Sequence, residues 1–147
     1  MADVDALVEL GTAAVPAIYG PIDPALAEYQ LTNWWSADAL RERMARIPHW
    51  IAEADDGRVL GVADLGRFED RAMLWKLYLR PDAQGRGLGT TLLSQVLEAA
   101  GGSLWLDAFA ENHRAIGFYR SRGFEVVEDA DTPEVLGHAM VRMRREP

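Results

Sequence analysis

With 147 residues, 49% of them hydrophobic, the chain is sized for one domain with a real core, and no apolar segment approaches the length that crosses a bilayer. Its formal net charge of −8 argues against non-specific binding to nucleic acid, which depends on lysine and arginine neutralising phosphates. There is no cysteine, which excludes disulfides, thiolate metal sites and a thiol nucleophile. The first residues, Met1-Ala2-Asp3-Val4-Asp5, are acidic rather than basic, unlike a secretory signal, so a cytoplasmic protein is expected. No repeat, low-complexity tract or linker interrupts the chain, and residues 1–147 are read as a single domain.

In chain order, Asp5 to Ala17 reads as a helix with Leu7, Val8 and Leu10 on its apolar side, ended or kinked by Pro16. A loop with Gly20, Pro21 and Pro24 follows. Ser36 is placed to cap a helix carrying Leu40, Met44 and Ile47, with Pro48 as its stop. Trp50–Ala54 and Val59–Leu65 read as a hairpin around Asp55-Asp56-Gly57. The turn Phe68-Glu69-Asp70-Arg71 leads into a strand over Ala72–Leu79. A helix over Leu88–Ala100 carries Leu88, Leu92, Leu93, Val96 and Leu97 as its stripe and ends at Gly101-Gly102. A strand over 103–108, a short helix from about Arg114, and strands near Phe124–Val127 and Gly137–Met143 complete the order. Strand–helix–strand across residues 72–108 implies a parallel pair, whereas the earlier hairpin is antiparallel, so the sheet is mixed α/β.

The richest stretch is Gln84-Gly85-Arg86-Gly87-Leu88-Gly89-Thr90, between that strand and the helix. Three glycines at alternate positions let backbone N–H groups converge on one concave spot at a helix N-terminus, an arrangement suited to a phosphate or pyrophosphate. A Walker loop is excluded because Thr90 follows Gly89 with no lysine, and a Rossmann fingerprint because the third glycine comes one residue early.

What remains is Q-x-x-G-x-G after a strand ending in Arg80-Pro81, which resembles the acetyl-coenzyme A loop of the GNAT family of N-acetyltransferases. Asn112-His113-Arg114-Ala115-Ile116-Gly117-Phe118-Tyr119-Arg120-Ser121-Arg122-Gly123-Phe124 resembles the family's second motif, N-x-x-A-x-x-F-Y-x-x-x-G-F, at every specified position. The resemblance covers residues 58 to 128 well. It implies a single-domain fold whose mixed central sheet has splayed parallel strands at 72–79 and 103–108, with flanking helices. The family normally begins with a strand, for which only Met1 to Val4 are available, so the first strand is expected to be short or missing.

The resemblance also implies the site. Acetyl-CoA would lay its pantetheine arm along the backbone of Leu77, Tyr78 and Leu79 and its pyrophosphate on Gln84, Gly85, Arg86, Gly87, Leu88, Gly89 and Thr90. Arg86 either adds charge there or is a solvated loop arginine. Asn112 is both an N-cap and, by resemblance, a pantetheine contact. Tyr119 either packs as a helix aromatic beside Phe118 or, as the resemblance implies, donates a proton to the departing thiolate as the catalytic residue. The base is open among Asp64, Glu69, Asp107 and water. His49, His113 and His138 lack metal-ligand spacing, so no metal is expected.

The implied function is transfer of an acetyl group from acetyl-CoA to a primary amine of a small molecule or peptide, directly in a ternary complex. A non-catalytic acyl-CoA-binding module is the alternative. Neither nucleic acid nor membrane is expected as a partner, and a homodimer is left open. Glu128-Asp129-Ala130-Asp131 and Glu134, before Gly137, either form a mouth that attracts a cationic acceptor or are a solvated acidic loop, and Tyr29, Trp34 and Trp35 either shape its pocket or pack helix to sheet.

Overall fold

Two helices near the start are set by local capping. In the computed structural model, which describes residues 2–128 and 130–147, the chain opens with α1 (Ala2–Tyr19), and no strand precedes it among the described residues. Pro16 does not end α1. The helix carries on for another turn because Val15 and Tyr19 are buried against the core, and the Pro16 carbonyl accepts from Gly20 N at 2.9 Å. The segment after the Gly20–Ile22 turn, read as loop up to Pro24, becomes α2 (Pro24–Trp34): Asp23 accepts from Ala25 N at 3.0 Å, and Pro24 sits in the first turn, where its missing N–H costs nothing. Ser36 caps α3 (Ala37–Arg46) through Ala39 N at 3.2 Å.

The strands follow as β1 (His49–Glu53), β2 (Val59–Asp64), β3 (Gly66–Phe68), β4 (Arg71–Met73) and β5 (Leu77–Leu79). A short 3₁₀ turn, Pro81–Ala83, leads through the glycine loop into α4 (Leu88–Ala100). Then come β6 (Leu104–Phe109), α5 (His113–Arg120), β7 (Glu125–Val126) and β8 (Met140–Arg145). The last strand therefore begins three residues later than its pattern suggested, after a turn in which Leu136 and Gly137 both take positive φ.

The run 72–79 is not one strand but two, and this decides the architecture. Residues β1, β2 and β5 form one antiparallel sheet; β3, β4, β6, β8 and β7, in that order, form another. Among the described residues the single parallel contact is between β4 and β6, at Met73 and Trp105, with Leu74 N donating to Trp105 O at 2.8 Å. Beyond it the chain leaves β6 and joins β2, so β5 and β6 splay apart.

Asp64 enforces the break. It is fully buried at the end of β2, and its Oδ1 accepts from Trp75 N at 2.8 Å and Lys76 N at 2.7 Å. Its own N–H donates to the Lys76 carbonyl at 3.1 Å. Those amides, lost to the β4–β6 ladder, are thereby satisfied without it.

Two apolar cores flank the sheets. On one side α1, α2 and α3 pack Leu7, Leu10, Leu26, Trp35 and Leu40 against Val59 and Val62. On the other, α4 and α5 pack Leu92, Leu93 and Val96 with Leu104, Leu106 and Phe124. The splay opens between them.

Candidate active site

The gap between β5 and β6 widens into a cavity of about 970 Å³ that runs from the glycine loop to α2. Its walls follow from the elements above. Leu77, Tyr78 and Leu79 line it from β5, Asn112 and Tyr119 from the far side, and Gln84, Gly85, Gly87, Leu88, Gly89 and Thr90 from the mouth. Eleven of the twelve residues expected from the sequence thus meet around one space.

The exception is Arg86. It does not line the cavity; its guanidinium donates to the Asp82 carbonyl at 3.2 Å. Arg122, which sequence reasoning passed over, stands beside the loop instead. It donates to Thr90 Oγ1 at 2.6 and 3.1 Å and lies 3.8 Å from the centre of the Phe118 ring. Its position two residues after the Phe118-Tyr119-Arg120 run was visible; that a helix turn carries it back to Thr90, 32 positions earlier, was not.

The loop has the backbone layout that suits an anion. Gly85 has φ 83° and Gly87 φ 77°, and a Cβ at either would have nothing within 4 Å, so the room beside them is open. Gly87 begins α4 with no side-chain cap, which leaves the first amides of that helix aimed outward. The backbone of β5 offers a second set of groups. Lys76 O and Arg80 N are bonded to β2, so antiparallel alternation turns the amides and carbonyls of Leu77 and Leu79 toward the gap. Those of Tyr78 face β2. An extended chain bearing amides, with a diphosphate at one end, matches this layout.

Tyr119 is buried between Phe118 and Phe124, at ring-centre distances of 5.2 and 5.4 Å. Its hydroxyl makes no hydrogen bond among the described residues, and the residue lines the cavity. Burial raises its pKa above the ordinary phenol value, reinforced by Tyr19 and Asp64, so it is a proton donor at neutral pH. Across the cavity, Tyr19 and Tyr78 share a hydroxyl–hydroxyl hydrogen bond of 2.7 Å, and burial raises both.

The three carboxylates considered as a base have other engagements. Asp107 lines the cavity but is held bidentately by Arg142, at 2.8 and 2.9 Å. Asp64 is not a lining residue; both its N–H contacts hold the chain break, and burial raises its pKa, partly countered by Lys76. Glu69 sits exposed in the positive-φ turn, 3.9 Å from Arg71. Glu134 and Val135 do line the cavity, as do Tyr29, Trp34 and Trp35. Glu128 and Asp131 do not, and Asp129 lies outside the described residues. No group of residues that holds a metal ion occurs among the described residues.

The chain matches the model of the acetyltransferase (GNAT) family over residues 13–124. It is 33% identical over 89 residues to the peptidyl-lysine N-acetyltransferase YiaC of Escherichia coli, covering 59% of this chain and 56% of that one. To the N-alpha-acetyltransferase RimI of Mycobacterium tuberculosis it is 32% identical over 101 residues, covering 64% and 63%. The matched region is therefore less than two thirds of either relative's own length. Among solved structures, the PaiA N-acetyltransferase of Thermoplasma acidophilum in complex with coenzyme A shares the fold, with a TM-score of 0.82, 23% identity, and coverage of 99% of this chain and 93% of that one.

Proposed function

The chain belongs to the acetyltransferase (GNAT) family, and from that premise we propose that it transfers an acetyl group from acetyl-CoA to a primary amine of a small molecule or peptide. The observation that carries this reading is the splayed gap itself. One side offers free strand backbone and a glycine-lined helix start, and the other a largely buried tyrosine whose hydroxyl has no protein partner among the described residues.

In this reading the amides at Gln84–Thr90 and the Arg122 guanidinium hold the pyrophosphate. Leu77, Leu79 and Asn112 guide the pantetheine arm. Acetyl-CoA supplies the activated acyl group. Tyr119 Oη holds the proton that the sulfur takes as the thiolate leaves. The amine enters from the α2 end, past Trp34 and Trp35. Its proton passes to solvent through the open cavity, because Asp64 and Asp107 are already committed. With no cysteine to carry an acyl group, transfer is direct and the kinetics sequential.

The absence of cysteine also makes the test clean, since a thiol reagent reports only released CoA. Acetyl-CoA should raise the melting temperature, and an amine panel should release CoA thiol. Gly87→Trp should abolish the shift, because an indole would fill the open space beside Gly87. No shift in the natural protein would refute the reading. A shift without thiol release from any amine would make the chain a non-catalytic acyl-CoA-binding module.

A further inference from the structure

The charge inside the cavity runs against the charge of the chain. Overall the protein carries −8, yet four cations line the cavity: Arg43, Lys76, Arg114 and Arg122. The lining carboxylates are Asp107 and Glu134, and Asp107 is neutralised by Arg142. Arg114 and Arg122 belong to α5 and its end, and Arg122 reaches Thr90 in the glycine loop, where phosphates account for it. Lys76 and Arg43 have no such explanation. Lys76 lies three residues before Leu79, about 10 Å along β5 from the loop end of the strand, and Arg43 comes from α3.

Both cations are short of partners. Lys76 is only 5% exposed and lines the cavity, and its ammonium makes no hydrogen bond or ion pair among the described residues, although the charge of the nearby Asp64 carboxylate favours its protonated form. Its ammonium lies 5.3 Å from the Trp35 ring centre. The neighbouring Asp64 spends Oδ1 on two backbone amides, and its Oδ2 is buried without a partner. Arg43 stands between Trp34 and Trp75, at 5.6 and 5.5 Å from their ring centres, with its Nε buried and unbonded. Burial of Lys76 and half-burial of Arg43 are costly unless an anion beyond Asp64, whose Oδ1 is held by backbone amides, completes the site.

We propose that the acceptor amine carries a carboxylate on the same molecule, held by Lys76 and Arg43 with its apolar part against Trp34 and Trp35. The inference rests on the acetyltransferase reading and names its substrate class. Glu134, a lining carboxylate with no ion pair among the described residues, suits the ammonium end of such a molecule. Polyamines and other purely cationic amines are poor acceptors, because their second charge meets Lys76 and Arg43.

The test compares acceptors that differ in one group: free amino acids against their amides, and short peptides with Glu or Asp beside the reactive amine against Gln or Asn. CoA thiol release should favour the acid member by about 10- to 100-fold in kcat/KM, the worth of a charge-assisted hydrogen bond. The free and peptide arms separate the two sources of the same chemistry. In Lys76→Gln and in Arg43→Gln the acid-to-amide ratio should fall toward one. A purely structural lysine would lower the melting temperature and leave that ratio unchanged, which would overturn the proposal. Binding is read separately from turnover by melting the protein with N-acetylated products, acid and amide. Equal shifts, or none with either, would overturn it too, as would a preference for amides or polyamines. Failure of acetyl-CoA itself to bind would strike the acetyltransferase reading instead.

Discussion

Replacing Tyr119 by Phe removes a single oxygen and separates chemistry from packing. The ring keeps its edge contacts with Phe118 and Phe124, at 81° and 66° between planes. Because the hydroxyl makes no hydrogen bond among the described residues, its loss leaves no group unsatisfied, and stability should change by less than about 0.5 kcal/mol. For a chain of this size that is about 2 °C in melting temperature or less. The acetyl-CoA thermal shift should be nearly unaltered. Turnover is different: a positioned general acid contributes about 10²- to 10⁴-fold. The open cavity lets water substitute in part, so the expected fall is about 10- to 1000-fold, or about 1.4 to 4 kcal/mol of barrier. The acting form of Tyr119 is protonated and burial raises its pKa, so wild-type turnover should show no alkaline decline from this group between about pH 6 and 9. Thiol release under saturating acetyl-CoA measures both. Turnover within twofold of wild type would remove Tyr119 from the mechanism.

Other variants test the scaffold. Gly87→Ala should destabilise by about 1 kcal/mol, since a Cβ is strained at φ 77°, whereas Gly89→Ala, with its Cβ 3.5 Å from Phe118, should be neutral or gain up to about 1 kcal/mol of helix propensity in thermal melts. Asp64→Ala should cost about 2 to 5 kcal/mol in denaturant unfolding by orphaning the Trp75 and Lys76 amides, while Asp64→Asn, which keeps an acceptor, should cost less; equal losses would refute the role given to that carboxylate. His138 bridges Asp23 at 2.9 Å and Glu111 at 2.7 Å, and those contacts, Asp23 first, raise its pKa. Its stabilising charge is therefore fully present below the unfolded value of about 6.5 and is lost as pH rises through the higher folded one. Asp23 is depressed by the same contact, so its share is lost only at acid pH. The melting-temperature gap between wild type and His138→Gln should shrink from pH 6 to pH 9; a constant gap would refute the ionic bridge.

Local chemistry was legible in the residues themselves. A glycine that must take positive φ before a helix, as at Gly87, or after one, as at Gly101 and Gly123, can be read without knowing what lies across the fold. So can Ser36 and Asn112, whose side chains cap the helices they precede. For the same reason the phosphate-type loop was visible from its glycine spacing, whereas the family, and with it the interest of Tyr119, came from the resemblance of two stretches to known motifs. Pro16 shows the limit of such rules, because burial of Val15 and Tyr19 outweighs the one backbone bond that proline removes.

What the tertiary structure decided is everything that depends on distant partners. Alternation along 72–79 reads as one strand, and only Asp64, brought across from β2, makes it two and opens the cleft. Arg86 is beside the glycines in sequence yet turns to Asp82, whereas Arg122 reaches Thr90 through a turn of chain after α5. The acidic stretch near residue 130 drew attention to cations. The cavity instead gathers Lys76 from the strand break and Arg43 from α3 beside Trp34 and Trp35, a meeting that no local spacing encodes across the 33 positions separating them. Local rules act over one turn of helix or one loop, while burial and charge pairing act across the fold between residues that only packing makes neighbours.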